Sequence, residues 1–197
     1  MHLVITNIIA ERLAIKDKTT FLLGGIAPDA VAPKDLSHFY IGEVKDYSRS
    51  IDYKGFLDKY CSQANNYYIL GYYTHLIADD LWLKGFYLPW LKNRMDVDDE
   101  VVTLYHNDFQ QLNGLLLEYF GFKNELKNSL YYQSTIFDIQ EVKSKDVQEF
   151  IPKILEDMEY DKGIISRKLN VFSFNQIIGY IETSVDKSIL NIKNILP

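Results

Sequence analysis

Residues 64–86 read ANNYYILGYYTHLIADDLWLKGF, and this stretch decides the fold. Tyr68, Leu70, Tyr72, Tyr73, Leu76, Ile77, Leu81, Trp82 and Leu83 recur at helical intervals and leave little polar face. A helix that is apolar nearly all round belongs in the middle of a protein rather than on its surface. His75 and Asp79 interrupt it four residues apart, so both side chains leave the same face about one turn from each other.

The flanking sequence continues in the same period, and few segments alternate as strands do, which predicts an all-helical domain spanning residues 1–197. A first helix is expected from about Val4 to Ile15. Asp17 to Ser50 then reads as a long connection rich in Gly, Pro and Asp, and a connection of that length is unusual unless it has a task. Asp96 or Asp98 can cap a helix running to about Phe120, with Glu100 in its first turn and Gly121 as its stop. Residues 124–138 carry no decisive pattern. Helices are expected again over Asp146 to Met158 and, briefly, Asp161 to Leu169. Ser173 caps a last one whose stripe is Phe174, Ile178, Ile181, Val185, Ile189, Ile192 and Leu196.

At 197 residues the chain is long enough to bury a sizeable core as one domain, and 47% hydrophobic residues exclude a disordered composition. A net charge of −6 gives no sign of a broad nucleic-acid surface. A single cysteine, Cys61, has no internal disulfide partner and reads as a small buried hydrophobe in a reducing compartment. The amino terminus lacks the pattern of a secretory signal, and no apolar run reaches membrane-spanning length. The expected location is therefore the cytoplasm.

Asp79 is the residue that most calls for chemistry, because an ionised carboxylate on an apolar helix needs a cation or several donors. A metal shared with His75 supplies that compensation; ordinary polar contacts under the long connection are the structural alternative. Asp29 stands in the turn-forming run Gly24-Gly25-Ile26-Ala27-Pro28-Asp29-Ala30, and His38 follows at Ser37-His38-Phe39. Two imidazoles and two carboxylates suffice for zinc or a similar divalent ion. Other chemistries find no motif: there is no contiguous His-Asp pair, no Walker loop after Gly24-Gly25, and no Gly-x-Ser-x-Gly elbow. The paired tyrosines Tyr67-Tyr68, Tyr72-Tyr73 and Tyr131-Tyr132 read first as core packing and second as pocket lining.

Taken together, residues 24–30, 37–39 and 70–80 resemble the bacterial zinc-dependent phospholipase C family, whose fold is shared with the single-strand-specific zinc nucleases. The resemblance covers roughly residues 1–86 and weakens afterwards. It implies a helical bundle of that type, with one zinc held by Asp29, His38, His75 and Asp79 and with Asp79 able to bridge to a second metal. It further implies metal-dependent hydrolysis of a phosphoester, phospholipid included, with Asp29 as ligand and possible base orienting a water. Asp29, Asp79 and Asp80 are then the candidate catalytic residues, Asp80 supporting the ligands from behind.

The chain departs from the family at three places. Asn7 stands where many relatives have histidine, although its amide oxygen or the nearby His2 offers a weaker substitute. Gly85 occupies a further expected histidine position. His106 is followed by Gln110 where a carboxylate is expected, and reads as a helix-surface residue. These departures favour a one-metal site, or two metals with altered surroundings, over three. They also sustain a competing expectation, a non-catalytic binding or structural protein that retains one metal.

Overall fold

Asp17, Asn66 and Ser173 fix where three helices begin. Each presents a side-chain oxygen to a backbone N–H of the first turn: Thr20 donates to Asp17 at 3.1 Å, Tyr68 to Asn66 at 2.8 Å, and Gln176 to Ser173 at 3.3 Å. The computed structural model of the chain describes residues 1–131 and 136–195, and it is mainly helical. Its first half contains α1 (His2–Arg12), α2 (Lys18–Ile26), a 3-10 turn (Ala27–Ala30), strands β1 (Tyr40–Ile41) and β2 (Ser50–Ile51), and α3 (Tyr53–Lys59). A second 3-10 turn (Cys61–Gln63) precedes α4 (Tyr67–Trp82), which passes into a π-helical segment (Leu83–Leu91) and α5 (Lys92–Val97). The second half is α6 (Glu100–Phe120), α7 (Lys123–Tyr131), α8 (Ser144–Asp157), α9 (Lys162–Ile165) and α10 (Phe174–Lys193).

The all-helical expectation holds, and α4 is the central element: Tyr68 through Ala78 is buried without interruption. It packs most extensively against α2 and also against α10. The close crossing of α2 and α4 is possible because both helices lack side chains where they meet. A Cβ on Gly24 would collide with the Tyr68 carbonyl oxygen, and one on Gly71 with the Phe21 carbonyl oxygen. Gly25 plays the same part toward Thr6 of α1.

This crossing corrects the sequence expectation for residues 17–50. About the first quarter of that connection is α2, with Phe21, Leu22, Leu23 and Ile26 buried, and its adjacent glycines serve helix contact rather than a turn. The remainder crosses the protein surface as a loop tied by the two-residue pairing of Tyr40 with Ile51.

Other bounds also shift. The first helix ends at Arg12 rather than near Ile15. The central helix does not stop near Phe86 but continues through a π-helical segment containing Pro89. The next helix starts at Glu100, after Asp99, and Asp98 accepts its first N–H at 2.9 Å. Gly121 does end that helix, at φ 71°. Ser144–Asp157 and Lys162–Ile165 form near the expected places, the latter shorter. Ser173 caps α10 through a reciprocal pair with Gln176, and Ile181, Val185 and Ile192 of its stripe are buried. Leu196 and Tyr132 lie outside the described residues.

Cys61 is exposed rather than buried, because it falls in a surface 3-10 turn and not on a packed helix. Tyr68, Tyr72 and Tyr73 are core residues, as their pairing suggests, and the Tyr72 hydroxyl donates to the Ser37 carbonyl at 2.6 Å. Asp108 is wholly buried on α6, where its carboxylate accepts the backbone N–H groups of Asn170, Val171 and Phe172. It fastens α6 to the loop before α10. No helix among the described residues is long and apolar enough to cross a membrane.

Candidate metal centre

The turn after α2 and the helix α4 bring Asp29, His38, His75 and Asp79 together. The His38 Nε2 lies 3.2 Å from Asp79 Oδ2, 3.6 Å from Asp29 Oδ1 and 3.3 Å from His75 Nε2. The His75 Nε2 lies 3.3 Å from Asp79 Oδ2 and 3.9 Å from Asp29 Oδ2. Four donors bonded at ~2.0 to 2.2 Å to a tetrahedral ion stand roughly 3.3 to 3.6 Å apart, so these separations suit one ion of zinc's size. Asp29 sits slightly wide of that figure and is engaged from outside by the Lys34 ammonium.

The outer nitrogens of both rings are occupied. His75 Nδ1 donates to the Gly25 carbonyl at 2.8 Å, an acceptor delivered by the close crossing of α2 and α4. His38 Nδ1 meets Ser37 Oγ at 3.0 Å, and that hydroxyl gives its own proton to the Pro28 or Lys34 carbonyl, at 2.9 and 3.2 Å. Carbonyl and hydroxyl acceptors at Nδ1 place the hydrogens there and turn both Nε2 lone pairs inward. Two facing lone pairs and two carboxylates form a nest for a cation.

His2, from the first turn of α1, closes the other side. Its ring stacks on His75 with centroids 3.7 Å apart, and its Nε2 lies 3.0 Å from Asp79 Oδ1. Asp79 therefore uses one oxygen toward His38 and His75 and the other toward His2. Two overlapping groups can hold a metal ion, Asp29 with His38 and His75, and His2 with His75 and Asp79. The single inward nitrogen of His75 can serve only one ion at a time. The His2 Nδ1 is buried without a hydrogen-bond partner among the described residues.

The electrostatics follow from this crowding. Burial alone would raise Asp29 and Asp79, but the surrounding imidazoles, with Lys34 for Asp29, outweigh it and hold both carboxyls well below the usual range. Burial would likewise depress His38, yet its hydrogen bonds to Asp29 and Asp79 prevail and push it up to about 9. For His2 burial wins, helped by His75, and its pKa is lowered.

Of the other residues singled out in sequence, none joins this cluster. Asp80 is buried on the far side of α4, receiving the Ile51 N–H at 3.3 Å and Lys84 at 2.6 Å. Asn7 is buried, and neither its amide nitrogen nor its oxygen has a partner among the described residues. Gly85 stands in the π-helical segment with open space beside it. His106 is exposed on α6.

A cavity of about 700 Å³ opens from the cluster. Asp29, His38, Asp79 and His2 line it, together with Trp82, Tyr87, Tyr105 and Tyr180. These lining tyrosines are not the paired ones of the sequence; they come from separate elements, which no local pattern could announce. No family model, no curated protein and no solved structure matches this chain.

Proposed function

We propose that the protein is a metal-dependent phosphoester hydrolase of phospholipase C type, acting on an amphiphilic phosphoester. The observation that carries this reading is the contact between a two-histidine, two-aspartate nest and a large, mostly apolar cavity. Asp29, His38, His75 and Asp79 would hold zinc or another divalent ion. When bound, such an ion supplies Lewis acidity toward a phosphoryl oxygen and lowers the pKa of a water toward ~7.

The chain's own residues do the rest. Asp29 is the most exposed of the four, with 26% of its side chain accessible and the widest spacing from its neighbours, so it is the ligand best placed to orient a water and take its proton. Hydrolysis joins the water oxygen to phosphorus, breaks the bond from phosphorus to the departing alcohol, and leaves a proton on that alcohol. Ser37 and the Gly25 carbonyl keep His38 and His75 in the ligating tautomer. The aromatic and aliphatic walls exclude water from an apolar tail.

A second reading has one observation in its favour: two imidazoles and two carboxylates gather at one place, the number of protein donors that a structural metal site uses in full. Metal analysis of purified protein, followed by assay on phosphomonoesters, soluble phosphodiesters and short-chain phospholipids with and without chelator, separates the two. Chelator-sensitive hydrolysis supports the enzyme. Stoichiometric metal with no turnover on the whole panel supports the structural reading.

A further inference from the structure

The loop of residues 34–49 contributes a wall unlike the rest of the cavity. Lys34, His38, Tyr40, Val44 and Arg49 line it there, whereas the apolar lining comes from elsewhere, Leu3 and Val4 of α1, Leu116 and Leu117 of α6, Phe150 and Ile154 of α8. Lys34 and Arg49, the lysine and arginine side chains among the lining residues, are thus both on this loop.

Arg49 is held in place rather than waving from the surface. Its guanidinium carbon lies 4.2 Å from the centroid of the Tyr40 ring, and that ring lies nearly parallel to His38, 5.6 Å away at 10°. Asp35 takes one guanidinium nitrogen at 2.7 Å, and the Arg49 backbone N–H bonds the Glu43 carbonyl at 3.1 Å. The other guanidinium donors have no hydrogen-bond partner among the described residues. The stacked order Arg49, Tyr40, His38 sets a planar, preorganised fork one ring away from the metal ligands.

The geometry points to Arg49 as the specificity residue of a headgroup subsite that takes a phosphate group carried by the substrate in addition to the scissile phosphoryl. This rests on the phosphoester hydrolase reading and narrows it to amphiphiles with an anionic, phosphorylated headgroup. A guanidinium fork pairs with phosphate oxygens through two parallel hydrogen bonds, and neither choline nor ethanolamine offers an acceptor for it. Lys34 adds a second positive charge on the same wall.

The test has two arms, both on the metal-loaded full chain. In the first, short-chain phospholipids with phosphorylated glycerol or choline headgroups are compared. We expect the phosphorylated headgroup to be favoured in kcat/KM by about tenfold or more. Arg49→Gln should bring the ratio to within about threefold, with metal content unchanged and with Lys45→Gln, a substitution in the same loop away from the cavity, keeping the full ratio. In the second arm, glycerol 1-phosphate and inorganic phosphate are titrated calorimetrically into both proteins, and Arg49→Gln should weaken glycerol 1-phosphate by about tenfold. Loss of inorganic phosphate binding to the same degree supports phosphate as the group recognised. A preference that survives in Arg49→Gln, or no preference at all in the unmodified protein, overturns the subsite. A metal-loaded protein inert on every ester overturns the hydrolase reading instead; the calorimetric arm then decides the subsite, equal glycerol 1-phosphate affinity in the two proteins overturning it.

Discussion

His38 and His75 face each other Nε2 to Nε2 at 3.3 Å, each with its other ring nitrogen already bonded, to Ser37 and to the Gly25 carbonyl. Neither lone pair can satisfy the other. Something positive has to sit between them, a proton in the metal-free protein or a metal ion in the loaded one.

That exchange predicts a pH dependence. His38 is raised from the ordinary value of 6.5 to about 9, so its proton stabilises the metal-free fold fully below about pH 6.5, and this contribution fades as pH rises through 9. Metal must displace the same proton. Affinity for zinc should therefore climb with pH up to about 9, by up to about tenfold per unit, and level off above it. Chelator competition from pH 6.5 to 9.5 measures the slope, and a flat profile would remove His38 from the ligand set. Asp29 and Asp79 shift the other way, and the stability they give is lost as pH falls below the usual carboxylate range.

Substitutions of two histidines should differ sharply. His75→Ala removes a buried inward-facing donor, whereas His106→Ala alters an exposed position on α6 that no residue of the cluster touches. Metal content should fall to near background in the first and stay unchanged in the second. Equal loss in both would place a metal at α6 that the geometry does not provide for.

Much of this was legible in the sequence, and what was hidden was hidden for physical reasons. The apolar periodicity of residues 64–86 announced α4, Gly121 and Ser173 announced a stop and a start, and the four-residue spacing of His75 and Asp79 announced a shared face. Asp29 and His38 were candidates by residue type, and the resemblance joined them to His75 and Asp79, since nothing local says that a loop residue will meet a helix. The glycine pair concealed α2, because a glycine that admits a neighbouring backbone looks the same in sequence as one that makes a turn. Nothing in the sequence announced the role of Asp108, because its partners lie more than sixty residues away in the loop before α10. His2 takes up Asp79 from a position that no spacing rule connects to it.

The glycine crossing gives a test that reaches the site through the fold. Gly71→Ala forces a methyl group onto the Phe21 carbonyl and presses on the Gly25 N–H, whose residue supplies the acceptor for His75. Backbone cannot yield as a side-chain tip can, so we expect a cost of about 1 to 3 kcal/mol and a lower zinc affinity. The melting temperature should drop by roughly 2 to 4 °C per kcal/mol. Gly179→Ala, with open space around it on α10, should instead raise stability by about 0.5 to 1 kcal/mol. If both substitutions move the melting temperature in the same direction, the tight crossing is not what those glycines serve.

The two aspartates separate holding the metal from using it. Asp79 spends one oxygen on His38 and His75 and the other on His2, so Asp79→Asn points an amide donor at a ring wherever its nitrogen falls and should empty the site. Asp29 is wider set and more exposed, and Asp29→Asn should keep part of the metal while losing turnover. Each ~1.4 kcal/mol of lost transition-state stabilisation slows the reaction tenfold, so a missing proton acceptor should cost at least about a hundredfold in kcat. The baseline itself should be modest, because Asn7 and Gly85, the positions at which the resemblance leads one to expect further histidines, add no ligand to the cluster. Metal content and kcat measured together for the two variants give the comparison. Activity that survives chelation, or that stays at the unmodified protein's level in both variants, would exclude this centre as its source; metal retained with turnover lost in Asp29→Asn alone assigns the water to Asp29.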